Sequence, residues 1–268
     1  MTHIRGVVIG LVKDIDDPNG EGRVRVEFPW LSADELSGWA PIARTMAGKE
    51  RGFYYMPELE DEALVAFDHG DFDHPIIIGF LHNGVDLPPD DDIDAKVRRV
   101  KTVSGHLLEF DDRDGKQRIN LETQGGHHLT MEDGPGTIEL ETSGGQTIKM
   151  QDLPGQIKLS TKMGSSVQID DVPSSIQVST TFGVTVTVTD AGGVTINAPT
   201  GMLTVTCLSA TITASSTCTV NAPVATINGA AVTINSGIAT FSGVVQCTTL
   251  IANAVVSQAY TPGLGNIW

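Results

Sequence analysis

Four consecutive segments of this sequence start on a glycine and lie 19 residues apart. Gly126 opens GHHLTMEDGPGTIELETSG, Gly145 opens GQTIKMQDLPGQIKLSTKM, Gly164 opens GSSVQIDDVPSSIQVSTTF, and Gly183 opens GVTVTVTDAGG. A longer copy starts at Gly105, with its extra residues in the Asp111–Gln117 turn. A fixed period of this size means that one small unit is stacked many times, each unit resting on its neighbours.

Each unit holds two short strands, because apolar residues recur at i and i+2 and so share one face. The earliest pairs are Leu108/Phe110 and Ile119/Leu121. The repeats then supply Leu129/Met131, Ile138/Leu140, Ile148/Met150, Ile157/Leu159, Val167/Ile169, Ile176/Val178 and Val186/Val188. Turn residues separate them at Asp133-Gly134-Pro135-Gly136, Asp152-Leu153-Pro154-Gly155 and Asp171-Val172-Pro173-Ser174. Two inward side chains per strand are too few for one chain to enclose a core. Apolar surface left in water costs about 25 cal/mol per Å². Three copies around a threefold axis close a narrow prism without free edges. The pairs from Leu129/Met131 to Val186/Val188 are therefore expected to form the core of a homotrimer, with unfolding that is slow.

Beyond Asp190 the chain carries no Asp, Glu, Lys or Arg. Residues 191–268 are rich in Thr, Val, Ile, Ala and Asn, a strand composition. Apolar pairs continue at a shorter beat: Leu203/Val205, Ala210/Ile212, Cys218/Val220, Ala225/Ile227, Val232/Ile234 and Ala239/Phe241. Cys207, Cys218 and Cys247 have no metal-like spacing and are expected to be small buried apolar residues. The net charge is −16, so three copies would carry 3 × −16 = −48, which opposes binding to nucleic acid or anionic lipid.

Ahead of the repeats the pattern changes. Ile4–Val12, Arg23–Phe28, Glu62–Phe67 and Pro75–Leu81 read as short strands, with Val24, Val26 and Phe28 inward. Asp16–Gly22 reads as a turn, and Asp14, Asp16 and Asp17 as its charged residues. Such strands in under 90 residues fit a small closed barrel, an OB-fold. Asp86-Leu87-Pro88-Pro89-Asp90-Asp91-Asp92 reads as a surface linker. The expected fold is all-β: an OB-fold barrel followed by an intertwined homotrimeric β-helix, a triangular β-prism. Its parts are a barrel at 1–85, a linker and approach to the first repeat at 86–104, a charged shaft at 105–190, and an uncharged distal prism and tip at 191–268.

Several stretches of the barrel carry a resemblance. They are Gly22-Arg23-Val24-Arg25-Val26-Glu27-Phe28-Pro29-Trp30, Trp39-Ala40-Pro41-Ile42-Ala43, Gly52-Phe53, Pro57–Phe67, Gly70-Asp71 and Pro75-Ile76-Ile77-Ile78-Gly79. In this order they resemble the spike proteins of contractile injection machines: the phage baseplate assembly protein V family and the barrel-plus-needle part of VgrG. The resemblance implies a non-enzymatic trimeric spike, pushed through a target envelope when a sheath contracts. It further implies a separate hub protein above the barrel, a PAAR-type cap at the tip and transient contact with the target membrane. Synthesis is expected in the cytoplasm, since no apolar leader or spanning run appears, and assembly in a phage tail or phage-tail-like particle. No hub is expected in front of the barrel, and residues 86–104 leave no room for a lysozyme domain. The His-x-His tip motif of some phage members is absent, since His128 is the last histidine. Leu264, Ile267 and Trp268 are the expected tip-docking residues.

Other chemistry reads as weaker. His127 could share the inward parity of Leu129 while His128 faces solvent. Asp68–His74 reads as a solvated loop and Asp90–Asp94 as a hydrated acidic run, which Arg98, Arg99 and Lys101 could face. No nucleophile elbow, phosphate loop or dinucleotide fingerprint occurs. No catalytic residue, metal site or cofactor is expected. Two other classes remain as alternatives: a trimeric fibre or adhesin that binds a cell surface, and a polysaccharide-acting β-helix enzyme.

Overall fold

A computed structural model describes residues 4–31, 35–89 and 94–257. The described elements are strands, with one short 3₁₀ turn at Asp68–Gly70. The chain divides into two compact units, Met1–Thr204 and Val205–Trp268.

The first unit begins with the barrel. Its strands are β1 (Val7–Asp14), β2 (Arg25–Glu27), the short hairpin β3 (Ala47–Gly48) and β4 (Arg51–Gly52), β5 (Glu62–Phe67) and β6 (Pro75–Phe80). The main sheet runs β2-β1-β5-β6 with antiparallel neighbours. Single bridges Val24↔Ala40, Glu27↔Leu36 and Ile42↔Ile77 carry the pairing onward around the barrel. β5 shows the expected alternation, with Ala63, Val65 and Phe67 buried. Val24, Val26 and Phe28 are fully buried, as the alternation predicts. The first strand starts later than expected, at Val7, because Gly6 sits at φ +90° and turns the backbone out of the extended region. It ends later too, because Asp14 pairs with Arg25.

The core consists of Val12, Val24, Val26, Phe28, Ala40, Ala63, Val65, Phe67 and Ile77. Phe28 lies 5.7 Å from Phe67 and 5.6 Å from Phe72, and Phe67 stacks on Phe72 at 5.5 Å. Gly10 lets β1 cross β2 closely, since a Cβ there would sit 3.2 Å from the Glu27 carbonyl oxygen. The β1–β2 turn is built on Asp17. Its carboxylate accepts the backbone N–H groups of Asn19, Glu21 and Arg23 and both Nε and Nη2 of Arg23. The Arg23 guanidinium, then these amides, hold the Asp17 carboxyl well below the usual carboxylate range.

After the barrel comes an antiparallel sheet of eleven strands in chain order. They are β7 (Val97–Lys101), β8 (Leu107–Asp111), β9 (Arg118–Glu122), β10 (His128–Glu132), β11 (Thr137–Glu141), β12 (Thr147–Gln151), β13 (Gln156–Ser160), β14 (Ser166–Asp171), β15 (Ser174–Ser179), β16 (Thr185–Thr189) and β17 (Val194–Asn197). Each strand pairs with the one before and the one after it, so one chain makes an unbroken meander. The charged repeats and the first uncharged strand, β17, belong to the same sheet.

From Val205 to Val256 the described chain forms no strand and no backbone–backbone hydrogen bond of its own. Its apolar side chains stand in solvent, including Leu208, Ile212, Ile227, Ile234 and Phe241. Cys207, Cys218 and Cys247 are exposed in the single chain and free of disulfides rather than buried, since the segment that holds them forms no strand of its own.

Phe28 fills the barrel centre, so Phe28→Ala is expected to destabilise the barrel by about 3–5 kcal/mol. Urea unfolding followed by the fluorescence of the neighbouring Trp30 measures this.

Candidate functional site

The repeats converge on one surface, the apolar face of the eleven-stranded sheet. Register builds it. Leu129 pairs with Leu140 and Met131 with Ile138; Ile138 then pairs with Met150 and Leu140 with Ile148. Ile148 pairs with Leu159 and Met150 with Ile157, and these pair with Val167 and Ile169. Val167 and Ile169 pair with Val178 and Ile176, which pair with Val186 and Val188. The fourteen residues expected at a core thus form two unbroken columns on one face. The columns extend upward through Leu121/Ile119 and Leu108/Phe110, and downward to Ile196 and Val194.

Burial is inverted on this sheet. Eleven members of the columns, from Ile138 to Val188, are 37–48% exposed in the single chain. The alternate residues on the opposite face, such as Thr147, Lys149 and Gln151, are better covered. That face carries cross-strand polar pairs: Lys149–Glu139 at 3.2 Å, Gln156 to Asp170 at 2.7 Å, and Ser166 with Ser179 at 2.8 Å. The chain therefore satisfies its polar face by itself and leaves its apolar face bare, the reverse of an independent domain.

Turns at one edge hold the register. In each, a threonine brackets a tight loop: Thr102, Thr123, Thr142, Thr161 and Thr180. Each Oγ1 accepts the N–H four residues on, at 3.0–3.2 Å, from His106, His127, Gln146, Ser165 and Val184. Each threonine carbonyl accepts the N–H of the glycine three residues on, and these glycines have φ between +80° and +96°. The turns are also tied to one another. His106 Nδ1 accepts the Gln124 N–H, His127 Nδ1 the Ser143 N–H and Ser165 Oγ the Thr181 N–H. The sequence carries this signal, Thr-x-x-Gly at the repeat period, though the alignment on glycines passes over the threonine.

The first strands of the sheet contain an ionic joint. Glu109 on β8 is 3% exposed and lies between Arg99 of β7 and Arg118 of β9. Asp111 is 1% exposed and accepts Nε and Nη2 of Arg113. Burial pushes the Glu109 carboxyl up, but the two guanidiniums outweigh it and hold it below the ordinary range. Arg113 does the same for Asp111. Arg98 pairs with Asp112. The β7–β8 register sets Arg99 opposite Glu109, while Asp112, just past β8, lies diagonal to Arg98. Of the acidic run at Asp90–Asp94, residues 90–93 lie outside the described residues.

The remaining candidates fall as follows. His128 is on the polar face, 3.4 Å from Glu141. His127 lies in the edge turn just ahead of β10. In the Asp68–His74 loop, His74 Nδ1 meets Asp71 Oδ2 at 3.0 Å, and His69 is exposed at φ 49°. Leu264, Ile267 and Trp268 lie outside the described residues.

The chain thus joins an OB barrel to a long antiparallel sheet with one bare apolar face. Residues 8–82 match the family described as the type VI secretion system/phage-baseplate injector OB domain. Over 131 residues the chain is 30% identical to the actin cross-linking toxin VgrG1 of Vibrio cholerae serotype O1, covering 42% of this chain and 12% of that protein. It is 30% identical to the type VI secretion system spike protein VgrG3 of Vibrio cholerae serotype O1, over 42% of this chain and 13% of that one. It is 30% identical to the spike protein VgrG5 of Pseudomonas aeruginosa, over 38% of this chain and 14% of that one. The chain thus resembles VgrG and baseplate spike proteins, and the matched part is a small fraction of those relatives' length.

Two outcomes test the local chemistry. Thr142→Val, which removes the hydroxyl that accepts the Gln146 N–H, is expected to cost about 1 kcal/mol per chain, read from the unfolding rate. The carboxyls of Glu109 and Asp111 are depressed in the folded state. Their contribution is therefore present above pH ~4, the unfolded carboxylate range, and is lost as pH falls through the folded values. Glu109→Gln is expected to raise amide exchange in β7–β9 at pH 7 and to weaken its dependence on acid.

Proposed function

We propose that this chain is the central spike of a contractile tail or injection machine, working as a homotrimer and without catalysis. The observation that carries the reading is the unbroken pair of apolar columns that a single chain leaves in water. Three such sheets facing a common axis cover all columns at once, and the polar faces are already satisfied for the outside. The distal segment supports the same reading. Ordering a backbone without hydrogen-bond partners is unfavourable, by about 1–2 kcal/mol per residue, unless another chain supplies them. Its lack of charge lowers the desolvation cost of entering lipid.

In this reading the barrel meets a separate hub, and Leu264, Ile267 and Trp268 seat a PAAR-type cap. Sheath contraction supplies the work, and the shaft transmits it across the target envelope. Synthesis is in the cytoplasm and assembly is in a baseplate. The toxin name of one relative belongs to a protein of which the matched segment is 12%, so it carries no activity to this chain.

Native mass spectrometry is the test. The expected species has three times the chain mass of 28.4 kDa, and a stable monomer would sink the reading. Ile148→Asp or Val186→Asp puts three carboxylates at one level of the axis. Either is expected to abolish the trimer, whereas Lys149→Asp, on the opposite face, keeps it.

A further inference from the structure

Residues 45–55 form an exposed stretch on the barrel, centred on the β3–β4 hairpin. Met46, Phe53, Tyr54 and Tyr55 are 47–68% exposed there. They are nevertheless held in place. Phe53 and Tyr55 stack at 6.5 Å with their rings 17° apart. The Arg44 guanidinium sits 4.5 Å from the centre of the Tyr54 ring and donates to the Tyr55 carbonyl. The Phe53 N–H donates to the Met46 carbonyl, and a Cβ on Gly52 would lie 2.6 Å from that oxygen. Lys49 and Arg51 make no ion pair with described residues. With Arg44 they outnumber the nearby acids, Glu50 of the stretch and Glu21, which is itself paired with Arg23. A basic, aromatic surface on a chain of net charge −16 is out of keeping with its surroundings.

The chain holds a segment of complementary chemistry. Asp86-Leu87-Pro88-Pro89-Asp90-Asp91-Asp92-Ile93-Asp94 has five aspartates and no cation. Leu87, Pro88 and Pro89 are exposed, and Asp86 bonds only to Asn83 among the described residues. Consecutive prolines favour the polyproline conformation and lose little entropy on binding, which is why aromatic grooves take them. Among the described residues, hairpin and linker share no hydrogen bond or ion pair within one chain.

We propose that the aromatic hairpin of one copy binds the Leu87–Asp94 linker of a second copy in the spike. Phe53, Tyr54 and Tyr55 cover Leu87, Pro88 and Pro89, and Lys49 and Arg51 face the aspartates that follow. Exposed ion pairs contribute little affinity and mainly set direction. The contact rests on the threefold reading, because it needs a neighbouring copy. It ties each barrel to the strand entry of its neighbour, since β7 begins at Val97.

The test places p-benzoylphenylalanine at position 54 in an equal mixture of ¹⁴N- and ¹⁵N-labelled full-length chains, assembled together and irradiated. The expected product joins position 54 of one isotope to a peptide within 87–94 of the other. Lys49→Glu with Arg51→Glu is expected to reduce it about tenfold, and adding Asp91→Lys and Asp92→Lys restores it. Native mass is read on every sample. A trimer that yields no such product, or joins the hairpin elsewhere, overturns the docking and leaves the threefold reading intact. A product confined to one isotope means that the hairpin holds its own linker, which also overturns it. A wild-type monomer overturns both.

Discussion

A strand cannot place neighbouring side chains on the same face, and everything in the shaft follows from that constraint. Because apolar residues occupy every second position from β8 to β17, one face of the sheet is apolar through ten of its eleven strands. Hydrogen bonding settles the other face, through pairs such as Lys149–Glu139 and Gln156–Asp170. No described element of the chain folds back to cover the first face. The sheet leaves that face uncovered within one copy, and the barrel, with its own buried core, is the part that stands by itself.

Much of this was readable in the residues. β5 occupies the expected Glu62–Phe67, and the inward parity of Val24, Val26 and Phe28 holds. The apolar columns follow from the same period-two rule, which depends only on local backbone geometry. The ionic joint does not, because it takes register to bring Glu109 between Arg99 and Arg118. From sequence, Arg98, Arg99 and Lys101 are set against the nearest acidic run, and nothing in the local pattern points to Glu109 as a partner of Arg99. Gly6 moved the start of β1 because a lone glycine reads equally well as a strand residue or a break. The distal cysteines read as buried because their residue type favours burial; in one chain there is nothing described to bury them.

The two kinds of repeat differ in how the backbone is satisfied. Up to Asn197 the strands bond to their own neighbours in the chain, and the edge threonines and glycines fix each reversal. From Val205 to Val256 the described backbone has no backbone partner in its own chain. The first part thus has its hydrogen-bond ladder within one chain, while the described distal part has none.

The edge turns also make the shaft modular. Every 19-residue unit takes the chain out and back, returns it to the same edge and restores the same parity. Two strands advance the sheet by about 9.5 Å. Gain or loss of a whole unit would therefore change length in steps of that size without turning a single side chain to the wrong face. Copying a short stretch of gene is then enough to lengthen such a sheet, with no redesign of its apolar face.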